Sequence, residues 1–156
     1  MGCTGVVLQK REDIDLVKTI NDIALAAKKA GLELRLNEHI EKGKYEANYY
    51  TYANLANKFD GSEDEQQVLM YVYSQGEDDY LEEFDWIRKD GNLIQSINIE
   101  DISGCEEIML DFLYEYMSLN QDVLFWDEYE WAYSYSDIIK IKNSEFDKEW
   151  CYKKPL

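Results

Sequence analysis

Residues 103–126, SGCEEIMLDFLYEYMSLNQDVLFW, contain the pattern that decides the fold. Ser103 and Glu106 fit a capping box at the start of a helix, and Asn120 is a suitable end for it. Residues 123–126 then form a short apolar run that predicts a strand. The helix has one continuous apolar face, made of Cys105, Ile108, Met109, Phe112, Leu113 and Tyr116.

Before this stretch, the dipeptide Asp90-Gly91 predicts a β-hairpin, because this pair favours a tight two-residue turn. With the dipeptide at the tip, residues 80–88 and 93–99 pair as antiparallel strands. Alternation then brings a set of apolar side chains to one face, namely Phe84, Trp86, Leu93, Ile97 and Ile99.

Residues 68–73 are continuously apolar or aromatic, which is typical of a central strand buried on both faces. We expect this strand to lie beside the two hairpin strands in one sheet. We also expect Phe112, on the helix, to pack against that sheet.

The N-terminal part predicts a strand, a helix and a second strand. Residues 6–8 form a short apolar strand, and residues 12–30 form an amphipathic helix that ends at Gly31. Residues 32–36 alternate between leucine and charged side chains, as a half-buried strand does.

Two further segments complete the assignment. Residues 137–142 predict a short last helix with Ser136 as its cap, whereas residues 37–58 mix strand and helix signals and receive no assignment. No linker divides the chain, so we expect one domain over residues 1–156. The predicted fold class is α+β, with a mixed or mostly antiparallel sheet of about five to seven strands and two main helices on one face.

The net charge of −17 is unevenly distributed. Residues 1–44 carry eight basic and seven acidic residues, whereas residues 60–130 carry twenty-one acidic residues against two basic ones. Such a field repels nucleic-acid backbones and anionic membranes and attracts basic proteins. We therefore expect a basic protein partner, with no nucleic-acid or membrane binding.

The residues that most often bind metals are few and scattered. Cys3, Cys105 and Cys151 are far apart, and His39 is the one histidine, so neither a disulfide framework nor a zinc spacing is present. We expect no metal, no cofactor and three reduced thiols. Because the chain shows no secretory signal and no apolar run long enough to span a bilayer, we expect a cytoplasmic protein.

Catalytic motifs are absent from the sequence: it contains no nucleophile elbow, phosphate-binding loop, dinucleotide fingerprint or HExxH pair. Neighbouring carboxylates are common, as in Glu82, Glu83 and Asp85, and a glycosidase-type mechanism needs two carboxylates across a cleft. A small hydrolase that uses a carboxylate pair is therefore an alternative to a non-enzymatic function.

Residues 125–135 interleave aromatic and acidic side chains. Aromatic rings offer large contact areas and accept cations on their faces, and carboxylates attract lysine and arginine. The alternative is that Phe125, Trp126 and Trp131 are core residues with acids outside. The predicted binding surface consists of Asp127, Glu128, Tyr129, Glu130 and Trp131, with Glu82, Glu83 and Asp85 from the hairpin.

Three functional hypotheses follow. The first is a protein-binding module, of inhibitor or immunity type, that holds a basic partner; the analogy with immunity proteins rests on size and charge alone. The second is the small hydrolase. The third is a scaffold domain whose acidic surface only keeps it in solution.

Overall fold

Six β-strands and three α-helices make up the described part of the chain. The computed structural model describes residues 3–42, 49–73, 84, 86–88 and 92–156. The strands are β1 (Gly5–Lys10), β2 (Glu33–Lys42), β3 (Tyr49–Ala56), β4 (Gln67–Tyr73), β5 (Leu93–Glu100) and β6 (Leu124–Trp126). The helices are α1 (Leu16–Lys29), α2 (Glu106–Leu119) and α3 (Tyr135–Asn143). Short 3-10 turns follow β1 and lie near the C-terminus.

The strands form one sheet in the order β2-β3-β4-β5-β1-β6, and every neighbouring pair is antiparallel. The helices pack against it, which confirms the predicted α+β class and strand number. Since β1 lies between β5 and β6, the β5-α2-β6 connection is a split β-α-β unit. None of the helices in the described ranges has both the length and the apolar character needed to cross a bilayer.

The main core lies between the helices and one face of the sheet. Phe112 of α2 is fully buried there, as expected, together with Val7, Met70 and Ile97 from three strands. Alternate residues on these strands point to the opposite face of the sheet, against which no helix of the described residues packs. This opposite face is called the open face below.

A β-bulge at Ser96 divides β5 into two halves with opposite side-chain direction. Val7 pairs with Ile97 and Leu8 pairs with Gln95, so Ser96 is the extra residue. Ile97 therefore points to the main core, whereas Leu93 points to the open face. There Leu93 joins a second, smaller core with Val6, Leu8, Phe84 and Leu124.

The predicted hairpin is wrong where the structure describes it. Phe84 and residues 86–88 form a turn, in which Ile87 N donates to Phe84 O at 3.0 Å. Both edges of β5 at Ile97 are already used, because Ile97 pairs with Val7 of β1 and with Val72 of β4. Residues 80–83, 85 and 89–91 lie outside the described residues.

The helix starts differ from the predicted ones. Helix α1 begins later than expected, after Asp15, whose carboxylate accepts from Val17 N at 3.0 Å. Helix α2 has no side-chain cap, so the predicted Ser103 capping box is wrong: Ser103 N donates to Asp101 Oδ1 at 3.1 Å instead.

Helix α3 is capped by Ser134 rather than by the predicted Ser136. The Ser134 hydroxyl accepts from Asp137 N at 3.2 Å, and the Asp137 carboxylate accepts from Ser134 N at 2.9 Å. These reciprocal bonds form a capping box and satisfy two backbone donors at the helix start.

Candidate functional site

A row of side chains crosses the open face of the sheet from β3 to β6. The strand register places Tyr52 opposite Tyr71, Tyr71 opposite Asn98, Asn98 opposite Val6, and Val6 opposite Trp126. Directly opposed residues of antiparallel strands point to the same side. The row therefore runs across five strands and contains three aromatic residues, with Val6 buried in the smaller core.

At the β6 end, the chain closes into a loop that presents aromatic and acidic side chains. Phe125 and Tyr133 exchange two backbone hydrogen bonds, of 2.9 and 2.7 Å, which tie the ends of the loop together. Within it, Trp126 Nε1 donates to Tyr129 O at 2.8 Å, and Glu128 has a φ of 72°, in the left-handed region. Hydrogen bonds thus hold the loop at its ends and also within it.

The loop contains a stacked aromatic pair with two exposed acids next to it in sequence. The rings of Tyr129 and Trp131 lie 4.8 Å apart and are inclined by only 6°. Tyr129 is 40% exposed and Trp131 is half-buried, while Glu128 and Glu130 are exposed. The Trp131 indole N–H donates to the Tyr133 hydroxyl at 3.0 Å, which anchors the stack to the core. These four residues, Glu128–Trp131 in sequence, are called the acidic aromatic patch.

Trp86 extends the aromatic surface beyond the patch. Its ring is 52% exposed and lies 6.2 Å from the Trp126 ring, which in turn packs edge-on against buried Phe84 at 5.3 Å. The sequence pattern placed Trp86 on a hairpin strand and missed this contact. The sequence signal that points to the Trp86–Trp126 contact is the aromatic character of the segments around both tryptophans.

Asp127 is buried, so it does not contribute to an exposed surface. Only 2% of the residue is exposed, and neither carboxyl oxygen has a hydrogen-bond partner among the described residues. Burial raises the pKa of Asp127, and the net value is about 7. Its own backbone N–H lowers this pKa in part, and the negative charge of the neighbouring Glu128 raises it.

Two cysteines lie in the surroundings of Asp127. Cys3 Sγ is 3.9 Å from Asp127 O. Burial and then the negative charge of Asp127 raise the pKa of the Cys3 thiol to about 11 and that of Cys151 to about 12. Thiols with raised pKa values are protonated at neutral pH and are poor nucleophiles. The arrangement therefore does not favour cysteine catalysis.

The remaining predicted site residues, Glu82, Glu83 and Asp85, lie outside the described residues. Within the described ranges, no group of three or more histidine, cysteine, aspartate or glutamate side chains is arranged to hold a metal ion.

Comparisons of the chain with protein-family models, with curated proteins and with solved structures found no match.

Proposed function

We propose that this protein binds a basic protein partner through the acidic aromatic patch, with Trp86 and Trp126 extending the contact. The observation that carries this proposal is the stack of exposed Tyr129 on half-buried Trp131, with exposed Glu128 and Glu130 next to them in sequence. Inhibition of a basic toxin or enzyme is one function that such a surface would serve.

The aromatic pair suits an interface because its geometry is already held in place. The Trp131 indole is bonded to Tyr133, and the backbone of Tyr129 is bonded to Trp126, so little conformational freedom remains to be lost on binding. Preorganised tyrosine and tryptophan side chains are the residues on which interface energies concentrate.

The charge of the molecule supports a cationic partner. Glu128 and Glu130 lie beside the stack, and the net charge of −17 adds a long-range attraction for positive proteins. A partner guanidinium or ammonium group would meet both a carboxylate and an aromatic face at this surface.

The hydrolase alternative finds less support. Asp127 is the described carboxylate whose pKa is raised towards neutral pH, as a general acid requires. Its oxygens are enclosed, however, so they do not contact a substrate in this conformation. Purely solubilising acids are the remaining alternative, and the experiment below separates them from a binding surface.

The test begins with affinity capture of the partner from the native host and continues with binding kinetics at several salt concentrations. We expect the double variant Glu128→Gln/Glu130→Gln to slow association by about threefold to tenfold. The control Glu12→Gln/Asp13→Asn changes the net charge equally in another exposed segment and should have a much smaller effect. Tyr129→Ala should accelerate dissociation by about thirtyfold.

The proposal fails if no basic protein is captured, or if the two double variants slow association equally. Equal effects would mean that the association rate depends only on the net charge of the protein. Circular dichroism and thermal unfolding of each variant establish that the fold is retained before the kinetics are compared.

A further inference from the structure

We propose that a cavity on the open face, lined by Tyr52, Tyr71, Tyr73, Asn98 and Glu100, binds an arginine side chain of the basic partner. This inference rests on the proposed function and assigns a specific pocket to it. The cavity has a volume of about 460 Å³ and lies over β3, β4 and β5. A guanidinium group with its methylene stem is small enough to enter it.

The cavity combines aromatic walls with a carboxylate. The Tyr52 and Tyr71 rings meet edge to face, with centroids 5.0 Å apart and planes at 67°. Glu100 is exposed and accepts a hydrogen bond from the Tyr71 hydroxyl at 2.9 Å through one oxygen, Oε1. A planar guanidinium stacks on aromatic faces and binds carboxylates through paired N–H groups, so arginine uses both features together.

The hydrogen-bonding groups of the cavity favour a donor ligand. Asn98 Nδ2 donates to the Tyr73 hydroxyl at 3.1 Å and Asn98 Oδ1 is enclosed, so the acceptors open to a ligand are the oxygens of the exposed Glu100 carboxylate. The described lining contains no lysine, arginine or histidine. An arginine side chain carries five N–H donors and no acceptor, which matches this surplus of acceptors.

The phenol groups of Tyr71 and Tyr73 remain neutral at physiological pH. The hydrogen bond to Glu100 and burial raise the pKa of Tyr71 to about 12, and burial raises that of Tyr73. The negative charge of the cavity therefore comes from Glu100, and the tyrosines offer neutral rings and hydroxyl groups.

Trp126, whose indole N–H bonds to Tyr129 O of the patch, lies in the same row across the sheet as Asn98 of the cavity. Asn98 lines the cavity and faces Val6, which faces Trp126 next to the patch. Two strand spacings separate Asn98 from Trp126, or about 10 Å, a distance that about three residues of extended chain cover. One basic segment of a partner can therefore place an arginine in the cavity while another residue contacts Trp126, the row residue that bonds to the patch.

A direct test uses N-acetyl-arginine amide as the probe and its citrulline analogue as a neutral control of nearly the same shape. We expect the arginine compound to shift the nuclear magnetic resonance signals of Tyr52, Tyr71 and Asn98, and the citrulline compound to leave them unchanged. Shifts that are absent, or equal for the two compounds, would overturn the proposal.

Variants distinguish binding in the cavity from attraction by the overall negative charge of the protein. Glu100→Gln keeps an acceptor for Tyr71 and should weaken probe binding by about tenfold or more, since it removes a charge-assisted hydrogen bond. Glu63→Gln makes the same charge change at an exposed site outside the cavity and should have little effect. Tyr71→Phe should retain more binding than Tyr71→Leu, because only phenylalanine keeps an aromatic wall. Equal losses from Glu100→Gln and Glu63→Gln would contradict the pocket.

The captured partner distinguishes failure of the pocket from failure of the proposed function. If the partner binds through the patch and Glu100→Gln behaves like Glu63→Gln, the pocket is wrong and the proposed function stands. If the patch variants have no specific effect while the arginine probe still binds at Tyr71, the proposed function is wrong and the pocket stands.

Discussion

Asp127 is the residue whose environment departs most from what its side chain prefers in water. Its carboxyl group is enclosed, receives no hydrogen bond from another described residue and has a pKa of about 7. The folded protein therefore binds the Asp127 proton more tightly than the unfolded chain, whose aspartates titrate near 4. The stability that protonation confers is present below about pH 4 and is lost as the pH rises through about 7.

This linkage predicts the effect of Asp127→Asn. Asparagine has nearly the same shape and no charge, so the variant should be more stable than the wild type at pH 8 by about 1–3 kcal/mol. The difference should shrink between pH 7 and pH 5. Urea unfolding of both proteins across this pH range measures it, and parallel pH profiles would show that Asp127 does not titrate as the structure implies.

The burial of Asp127 was not predictable from the sequence. The acids that follow it, Glu128 and Glu130, suggested an exposed segment, and no local pattern reveals that the chain turns inward after Trp126. The pairing of Phe125 with Tyr133 causes that turn, and it depends on contacts eight residues apart. By contrast, the exposure of Glu128 and Glu130 agrees with what the charge pattern indicated.

At the scale of elements, apolar periodicity predicted the helices. The strand predicted over residues 80–88 did not form at the residues there that the structure describes. Helix α2, β4 and β6 formed where their apolar residues placed them. The prediction that β4 is buried on both faces is wrong, because Leu69, Tyr71 and Tyr73 are half-buried on the open face. Residues 84 and 86–88 did not become part of a strand, because β1 and β4 occupy both edges of β5 near Ile97. Sequence alternation also cannot show the bulge at Ser96, which reverses the direction of the side chains before it.

The importance of α2 is tested by Phe112→Ala. Phe112 is fully buried between the helix and the sheet, so the cavity left by the substitution should cost about 3–5 kcal/mol of unfolding free energy. The control Glu107→Ala lies on the exposed side of the same helix and should change stability by less than about 0.5 kcal/mol. Chemical denaturation checks both, and a loss below about 1 kcal/mol for Phe112→Ala would contradict a core role for this residue.

Two serines in one segment test the start of α3. Ser134→Ala removes the capping bond to Asp137 N and should destabilise the protein by about 1 kcal/mol. Ser136→Ala, at the position that the sequence favoured as the cap, is exposed within the helix and should be neutral or slightly stabilising. Thermal unfolding of the pair measures the difference, and the reverse order would place the cap at Ser136.

At the scale of the whole molecule, repulsion between carboxylates opposes folding. The chain has 33 acidic and 16 basic side chains, so one-to-one pairing would leave at least 17 carboxylates without a basic partner. The described ion pairs Lys18–Asp22, Lys142–Asp111 and Lys153–Asp147 are solvent-accessible, and such pairs contribute little stability. A compact fold holds these like charges closer together than the unfolded chain does.

Screening by salt should therefore stabilise this protein. Raising sodium chloride from low concentration to about 0.5 M shortens the screening length to a few ångströms and weakens repulsion more than it weakens the few attractive pairs. We expect a gain of about 1 kcal/mol, which corresponds to about 2–4 °C in the unfolding midpoint. Glu128→Gln/Glu130→Gln should reduce this gain, because the variant has two fewer like charges. A midpoint that falls with salt would mean that attractive pairs dominate the electrostatics of the fold, and that its acids are arranged for stability rather than for the attraction of a basic partner.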